Sequence, residues 1–167
     1  SQLKVADIDT RDRIRVIDIR NTGADQSVKT ESSKRTIPIH DYVLDLGFEK
    51  YFQTLDREEQ LFPSIKMTTL KNWGAAFGQW FKRYREEIGI NDQWEDFHAL
   101  RHTFKTACRA AALSEDVSDA LTGHSRGSIG RGYGIFPVSV LRDAINKVRF
   151  DVEIPRWTIG SPPKRTR

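Results

Sequence analysis

The sequence predicts an α+β fold, mostly α-helical, with a small three-stranded antiparallel sheet near the N-terminus. Three observations lead there. Apolar and charged residues alternate between Arg13 and Arg20, the period of a half-buried strand. Beyond Asp41 the apolar residues recur at spacings of three and four, as amphipathic helices require. The chain has 167 residues, 38% of them hydrophobic and 30% charged, which at ~150 residues per domain means one domain with enough apolar material for a core.

Composition narrows the function classes. Cys108 is the only cysteine, which leaves no disulfide framework and no cysteine-based zinc cluster. No stretch reaches the roughly 18 apolar residues of a membrane span, and no basic start followed by an apolar run marks a secretory signal. The chain begins at Ser1 and its only methionine is Met67, so it reads as cut from something longer. Net charge is +4, unevenly spread: residues 1–96 hold 15 Lys/Arg and 17 Asp/Glu, residues 97–167 hold 12 and 6. A basic second half points to a polyanion.

Leu3, Val5 and Ile8 read as the end of a helix over Gln2 to Ile8. Strands are expected over Arg13 to Arg20, Ser27 to Thr30 and Arg35 to His40, with a turn at Asn21-Thr22-Gly23. Pro38 has no N–H to donate, which puts the third strand at a sheet edge. Asp41 is the expected N-cap of a helix over Tyr42 to Leu55, weakened at Gly47. The longest apolar face belongs to a helix from Thr69 to Ile88, where Leu70, Trp73, Phe77, Trp80, Phe81, Tyr84 and Ile88 align. A buried core is the expected role of that stripe, ahead of a platform for stacking bases. Gly89 and Asn91 end it, and Asp96 caps a helix from Phe97 to Ala112. Ser114 starts another, Gly123 stops it, and Pro137 opens a last one to Val148. The proline-containing, basic stretch from Ile154 reads as an extended arm.

Two local patterns mislead. Gly123-His124-Ser125-Arg126-Gly127 matches a hydrolase nucleophile elbow, but a helix precedes it and no histidine follows Ser125. His98 and His102 share a helix face at zinc-ligand spacing, yet Arg101 stands between them and would repel a dication. Arg101 redefines that face: at about 100° per residue, His98, Arg101, His102, Lys105 and Arg109 form one polar stripe, with Leu100, Phe104, Ala107, Cys108 and Ala111 behind. Arginine offers phosphate a two-pronged fork and histidine a titratable donor. His124 and then Tyr133, between Gly132 and Gly134, follow downstream.

His98-Ala-Leu-Arg101-His102, Leu121-Thr-Gly-His124 and Tyr133 resemble the H-x-x-R, G-H and nucleophilic tyrosine motifs of the tyrosine recombinases, the phage-type integrases. Val28-Lys29-Thr30 ahead of Ser33-Lys34-Arg35-Thr36-Ile37-Pro38 resembles the hairpin carrying that family's catalytic lysine, with Lys29 the first choice and Lys34 the second. Each motif is short; four in order at the family's spacings, over Ser1 to Asn146, are specific. The family's first catalytic arginine would lie about five residues before Ser1, so the chain resembles an N-terminally truncated catalytic domain over residues 1–148, followed by an arm over 149–167.

The resemblance implies the DNA breaking-rejoining fold and site-specific recombination, integration or excision, through a 3′-phosphotyrosyl intermediate. It implies Tyr133 as nucleophile, with Arg101, His98, His124 and Lys29 around the phosphate, and Lys34, Arg35, Lys105, Arg126 and Arg131 on DNA. No metal and no cofactor is implied. The implied partners are double-stranded DNA, further copies of the chain in a tetramer held by the C-terminal segment, and accessory DNA-bending proteins. The implied location is the cytoplasm of a bacterium, on its nucleoid, with the gene bacterial or phage-borne. The alternatives are a DNA-binding remnant without strand transfer and a type IB topoisomerase-like enzyme. Without the first arginine, residues 1–167 alone are expected to cleave little.

Overall fold

The computed structural model describes residues 2–23, 26–28, 33–65, 67, 73–91, 97–123, 136–152 and 154. Among these residues are three strands and six helices, so the α+β, mostly helical class predicted from the sequence is the class observed.

The first segment departs from expectation. Gln2 to Ile8 does not end an α-helix. A single 3-10 turn, Val5–Asp7, leads into strand β1, Ile8–Arg11. The reason is where the backbone N–H groups go: Val5 N donates to the Glu59 carbonyl at 3.0 Å and Ala6 N to that of Arg57 at 2.8 Å. Leu61 N in turn donates to the Leu3 carbonyl at 2.8 Å, so residues 57–61 supply the partners a helix would have found within itself. The turn is held from inside by Asp7, only 2% exposed. Its carboxylate accepts from Lys4 N at 2.8 Å, Gln26 Nε2 at 2.7 Å and Arg20 Nε at 2.7 Å.

Strand β1 pairs with β2, Ile14–Ile19, through a two-residue turn in which Asp12 and Arg13 both have positive φ, 50° and 64°. That backbone is the usual way to match the twist of a tight hairpin, though glycine or asparagine normally supplies it. Strand β3, Arg35–Pro38, pairs with the other edge of β2, Val16 lying opposite Pro38 and Ile17 opposite Ile37. The sheet order is β1-β2-β3, which leaves Pro38 on an edge strand as predicted. The expected strand over Ser27 to Thr30 is not the third member. Ser27 and Val28 lie outside any strand, Lys29 and Thr30 lie outside the described residues, and β1 takes the place.

The helix predicted from Tyr42 is broken in two at Gly47, whose φ is 102°: α1, Asp41–Asp45, and α2, Phe48–Phe52. The N-cap is His40 rather than Asp41, because His40 Nδ1 accepts from Tyr42 N at 3.0 Å. Its other nitrogen, Nε2, lies 3.2 Å from the Val148 carbonyl oxygen. Asp41 is turned to the C-terminal helix instead. Its N–H donates to Asn146 Oδ1 at 2.9 Å, and its carboxylate meets Arg142 at 2.7 Å.

Helix α3 spans Ala75–Glu87, and Gly89 follows it with φ 82°. The expectation that its aromatic stripe fills the core is not met: none of its residues is buried, and Trp80 and Tyr84 are 49% and 45% exposed. The rings pack on one another and on Phe97. Trp80 stacks on Tyr84 at 5.5 Å, while Phe77 and Phe81 meet Phe97 edge-on at 5.0 Å and 5.5 Å. A stripe records which side of a helix is apolar, not whether another surface meets it.

Helix α4, Ala99–Ala110, starts at His98, and α5, Glu115–Thr122, starts where expected: Ser114 Oγ accepts from Val117 N at 3.4 Å. Gly123 ends α5 in the left-handed conformation, φ 70°. Helix α6, Val138–Ile145, begins one residue after Pro137, which is its N-cap. Two apolar clusters hold these parts. Ile8, Ile39, Phe52 and Leu61 form one, with Leu3, Val5 and Tyr51 against it. Leu121, Leu141 and Ile145 form the other, with Ile37, Phe104 and Phe136 against it. Leu100, expected on the inner side of α4, is exposed.

Two predictions follow from this packing. Removing the Asp7 carboxylate in Asp7→Ala strands Arg20, Gln26 and the Lys4 N–H. Because water still reaches Arg20, the expected loss is about 2–3 kcal/mol by urea unfolding, below the range for a fully buried pair. Burial pushes the Cys108 thiol up. The unfolded thiol ionises near ~8.5, so above that pH the unfolded chain releases a proton the folded chain keeps, and stability falls as pH rises. Between about pH 8 and pH 10 the stability of Cys108→Ala should therefore decline less steeply than that of the wild type.

Candidate active site

Three parts of the chain bear on one place. Strand β3 begins with Arg35, which reaches the end of α5 at Leu121 and Gly123. Arg101, in the first turn of α4, is within electrostatic range of Arg35. The guanidinium of Arg35 is half-buried and directed inward: Nη1 donates to the Ser33 carbonyl at 2.8 Å, and Nε to that of Leu121 at 3.3 Å. It lies flat against Gly123, where an added Cβ would stand 2.5 Å from Nη1 and 2.8 Å from Cζ. Burial, and after it the positive charge of Arg101, hold the Arg35 guanidinium below the usual arginine range. Two cations are thus placed within electrostatic reach of each other.

Arg101 is set by the start of α4, its N–H donating to the His98 carbonyl at 3.0 Å, and it is half-buried. His98 and His102 are exposed one turn apart, their rings edge-on with centroids 5.4 Å apart. Among the described residues no group of three or more His, Cys, Asp or Glu is arranged to hold a metal ion. Lys34 is exposed, immediately before Arg35. Lys29, His124, Arg126, Arg131 and Tyr133 lie outside the described residues, although His124 follows Gly123 directly in the chain.

Lys105, expected on DNA with the rest of its stripe, is ion-paired with α5 in this structure. Its side chain is 15% exposed, and its ammonium meets Asp119 at 2.8 Å and Glu115 at 3.6 Å. Arg109 is likewise paired, 3.0 Å from Glu115. The polar stripe of α4 therefore has two parts. Arg101 lies within electrostatic range of Arg35, whereas Lys105 and Arg109 clamp α4 to α5. Gly123 was legible as a helix stop but not as the seat of Arg35. The Ser33 and Leu121 carbonyls belong to the main chain, which no side-chain pattern reports.

Comparison with known families follows the same residues. The sequence model of the Phage integrase family matches residues 1–134 of the 167, a span that includes Lys29, Lys34, His98 to His102, His124 and Tyr133. The chain belongs to the phage integrase family, the tyrosine recombinases, whose general activity is site-specific recombination and whose substrate is DNA. Comparison with curated proteins and with solved structures gives no match. Among the described residues no helix is long and apolar enough to cross a membrane.

The division of the α4 stripe is testable. Lys105→Met removes the ammonium 2.8 Å from Asp119, whose side chain is 13% exposed. It should cost about 1–2 kcal/mol of stability in thermal or urea unfolding, yet change duplex-DNA affinity by less than about two-fold and leave its salt dependence unaltered. A salt slope shallower by about one would instead make Lys105 a phosphate contact.

Proposed function

We propose that this chain cleaves and rejoins DNA through a tyrosyl intermediate, and that the cleavage site is the convergence of β3, α4 and α5. The observation that carries the reading is that Arg35 lies against Gly123, one residue before His124, and within electrostatic range of Arg101.

A tyrosine phenol, with a pKa near ~10, is a weak nucleophile at neutral pH and needs its proton removed as it attacks. Tyr133 Oη attacks the scissile phosphorus, and the phenol proton passes to His98. Arg101 holds the non-bridging oxygens with its fork, and His124 donates to the same phosphate, so charge accumulating on the pentacoordinate centre is met by donors already in place. The bond to the 5′-oxygen breaks, and that oxygen takes its proton from Lys29, or from Lys34 if the second position of the hairpin carries the role. The products are a 3′-phosphotyrosyl link and a free 5′-hydroxyl. One phosphodiester has been exchanged for another of similar energy, so a 5′-hydroxyl from another strand can reverse the step without ATP. The outcome is strand exchange, in integration or excision of a mobile or phage element.

Lys34, Arg126 and Arg131 are proposed as backbone contacts to double-stranded DNA, which position the duplex without reading its sequence. Residues 1–148 form the catalytic domain and residues 149–167 the arm. Phe150, Val152 and Ile154, at alternate positions along its start, are each about half exposed. That spacing suits a segment laid in extended form on a neighbouring copy, which supports assembly as a tetramer on DNA. The enzyme would act on the bacterial nucleoid, with DNA-bending proteins as accessory partners.

A nicked suicide duplex, offered to the intact gene product carrying these residues, traps the intermediate once the short 5′ fragment diffuses away. The expected result is an SDS-resistant protein–DNA adduct that Tyr133→Phe abolishes and Arg101→Gln reduces by about 10²–10³-fold. An adduct that survives Tyr133→Phe overturns the choice of nucleophile. Binding without any adduct favours a DNA-binding remnant, and relaxation of supercoils without site preference favours a topoisomerase.

A further inference from the structure

We propose that Arg35 is a positioning residue of the recombination site: it locks the turn at Gly123, from which the chain runs to His124, and fixes the lysine-bearing hairpin to that turn. The proposal rests on the recombinase reading above and assigns Arg35 a role other than a contact to the DNA backbone.

The argument starts at the end of α5. The last carbonyls of a helix have no partner within it and carry its negative pole, so a cation bonded there is doubly favoured. Arg35 Nε donates to one of them, Leu121 O, while Nη1 of the same planar group donates to Ser33 O at the other end of the fork. A single rigid group thus spans the hairpin and the helix end, which are 86 positions apart in the chain at Arg35 and Leu121. Lysine could keep the charge but not the span, since its ammonium is one point on a flexible stem.

Gly123 completes the device. Its φ of 70° disfavours any side chain, and its bare α-carbon lets the guanidinium lie where a methyl group would stand 2.5 Å from Nη1. Gly123 N donates to the Asp119 carbonyl at 2.7 Å, so the turn is bonded from the helix side as well. The lock therefore has two halves, a fork and a glycine, and neither is replaceable without moving the other. Displacing the turn by a fraction of an ångström displaces the start of the segment that carries His124 and Tyr133, and misplacement on that scale costs rate rather than affinity.

The test compares Arg35→Lys and Arg35→Ala in the intact gene product carrying these residues, by two readouts. By amide hydrogen exchange, both variants should speed exchange at Gly123 by at least about ten-fold, with amides of β2 and α6 within about two-fold of wild type. In the suicide-substrate assay both should lower adduct formation by about ten-fold or more, while duplex affinity and its salt slope stay within error. Normal adduct formation by Arg35→Lys alongside loss in Arg35→Ala, with a salt slope shallower by about one, would overturn the proposal and make Arg35 a phosphate contact. Exchange that quickens equally throughout the fold would overturn it too, as plain loss of stability. A wild-type protein that never forms the adduct removes the recombinase reading instead, and the exchange at Gly123 then decides by itself whether Arg35 locks the turn.

Discussion

A carboxylate almost wholly removed from water has to be met by donors on every side, and Asp7 is the point from which the rest of this fold is hung. Its three partners come from the N-terminal turn, the residue that follows β2 and the connector at Gln26. The first sets the entry into β1, the second pins the far end of the central strand, and the third draws in the connector that leads toward β3. A sheet of three short strands has little cohesion of its own. With its ends fixed in this way, β3 can present Arg35 to a helix whose sequence lies 86 positions downstream.

What the sequence disclosed, and what it withheld, divides along the range of the forces concerned. Ser114, Gly123 and Pro137 act on backbone groups within a turn of themselves, and the limits of α5 and the start of α6 were legible to within a residue. The β1–β2 hairpin was not, because its turn uses Asp12 and Arg13 in a backbone region where glycine or asparagine is the usual signal. Leu3, Val5 and Ile8 fit a helix as well as a strand, and the choice was made by carbonyls near residue 60. The aromatic face of α3 was read correctly as apolar and wrongly as buried, since burial depends on a second surface.

The site shows the same division. Arg101 and the histidines of α4 could be placed on one face from spacing alone. Lys105 sits on that face too, but its partners Glu115 and Asp119 belong to the next helix, and no pattern internal to α4 reveals them. Arg35 was legible as a cation near the catalytic lysine's hairpin. Its commitment to a main-chain carbonyl of α5 was not, because a carbonyl leaves no mark on the composition of a sequence.

The pairing of Lys105 and Arg109 has one more consequence, for the field along α4. The peptide units of a helix sum to a positive pole at its N-terminal end and a negative one at its C-terminal end. Glu115 and Asp119 cancel side-chain cations in the second half of α4, beside the negative pole, while Arg101 and the two imidazoles stand in the first turn, beside the positive one. Side chains and backbone therefore slope the potential in the same sense, and a polyanion arriving anywhere along this face is drawn toward one end. Helix α4 acts as a ramp before it acts as a binding surface, and salt flattens the ramp over about 8–10 Å.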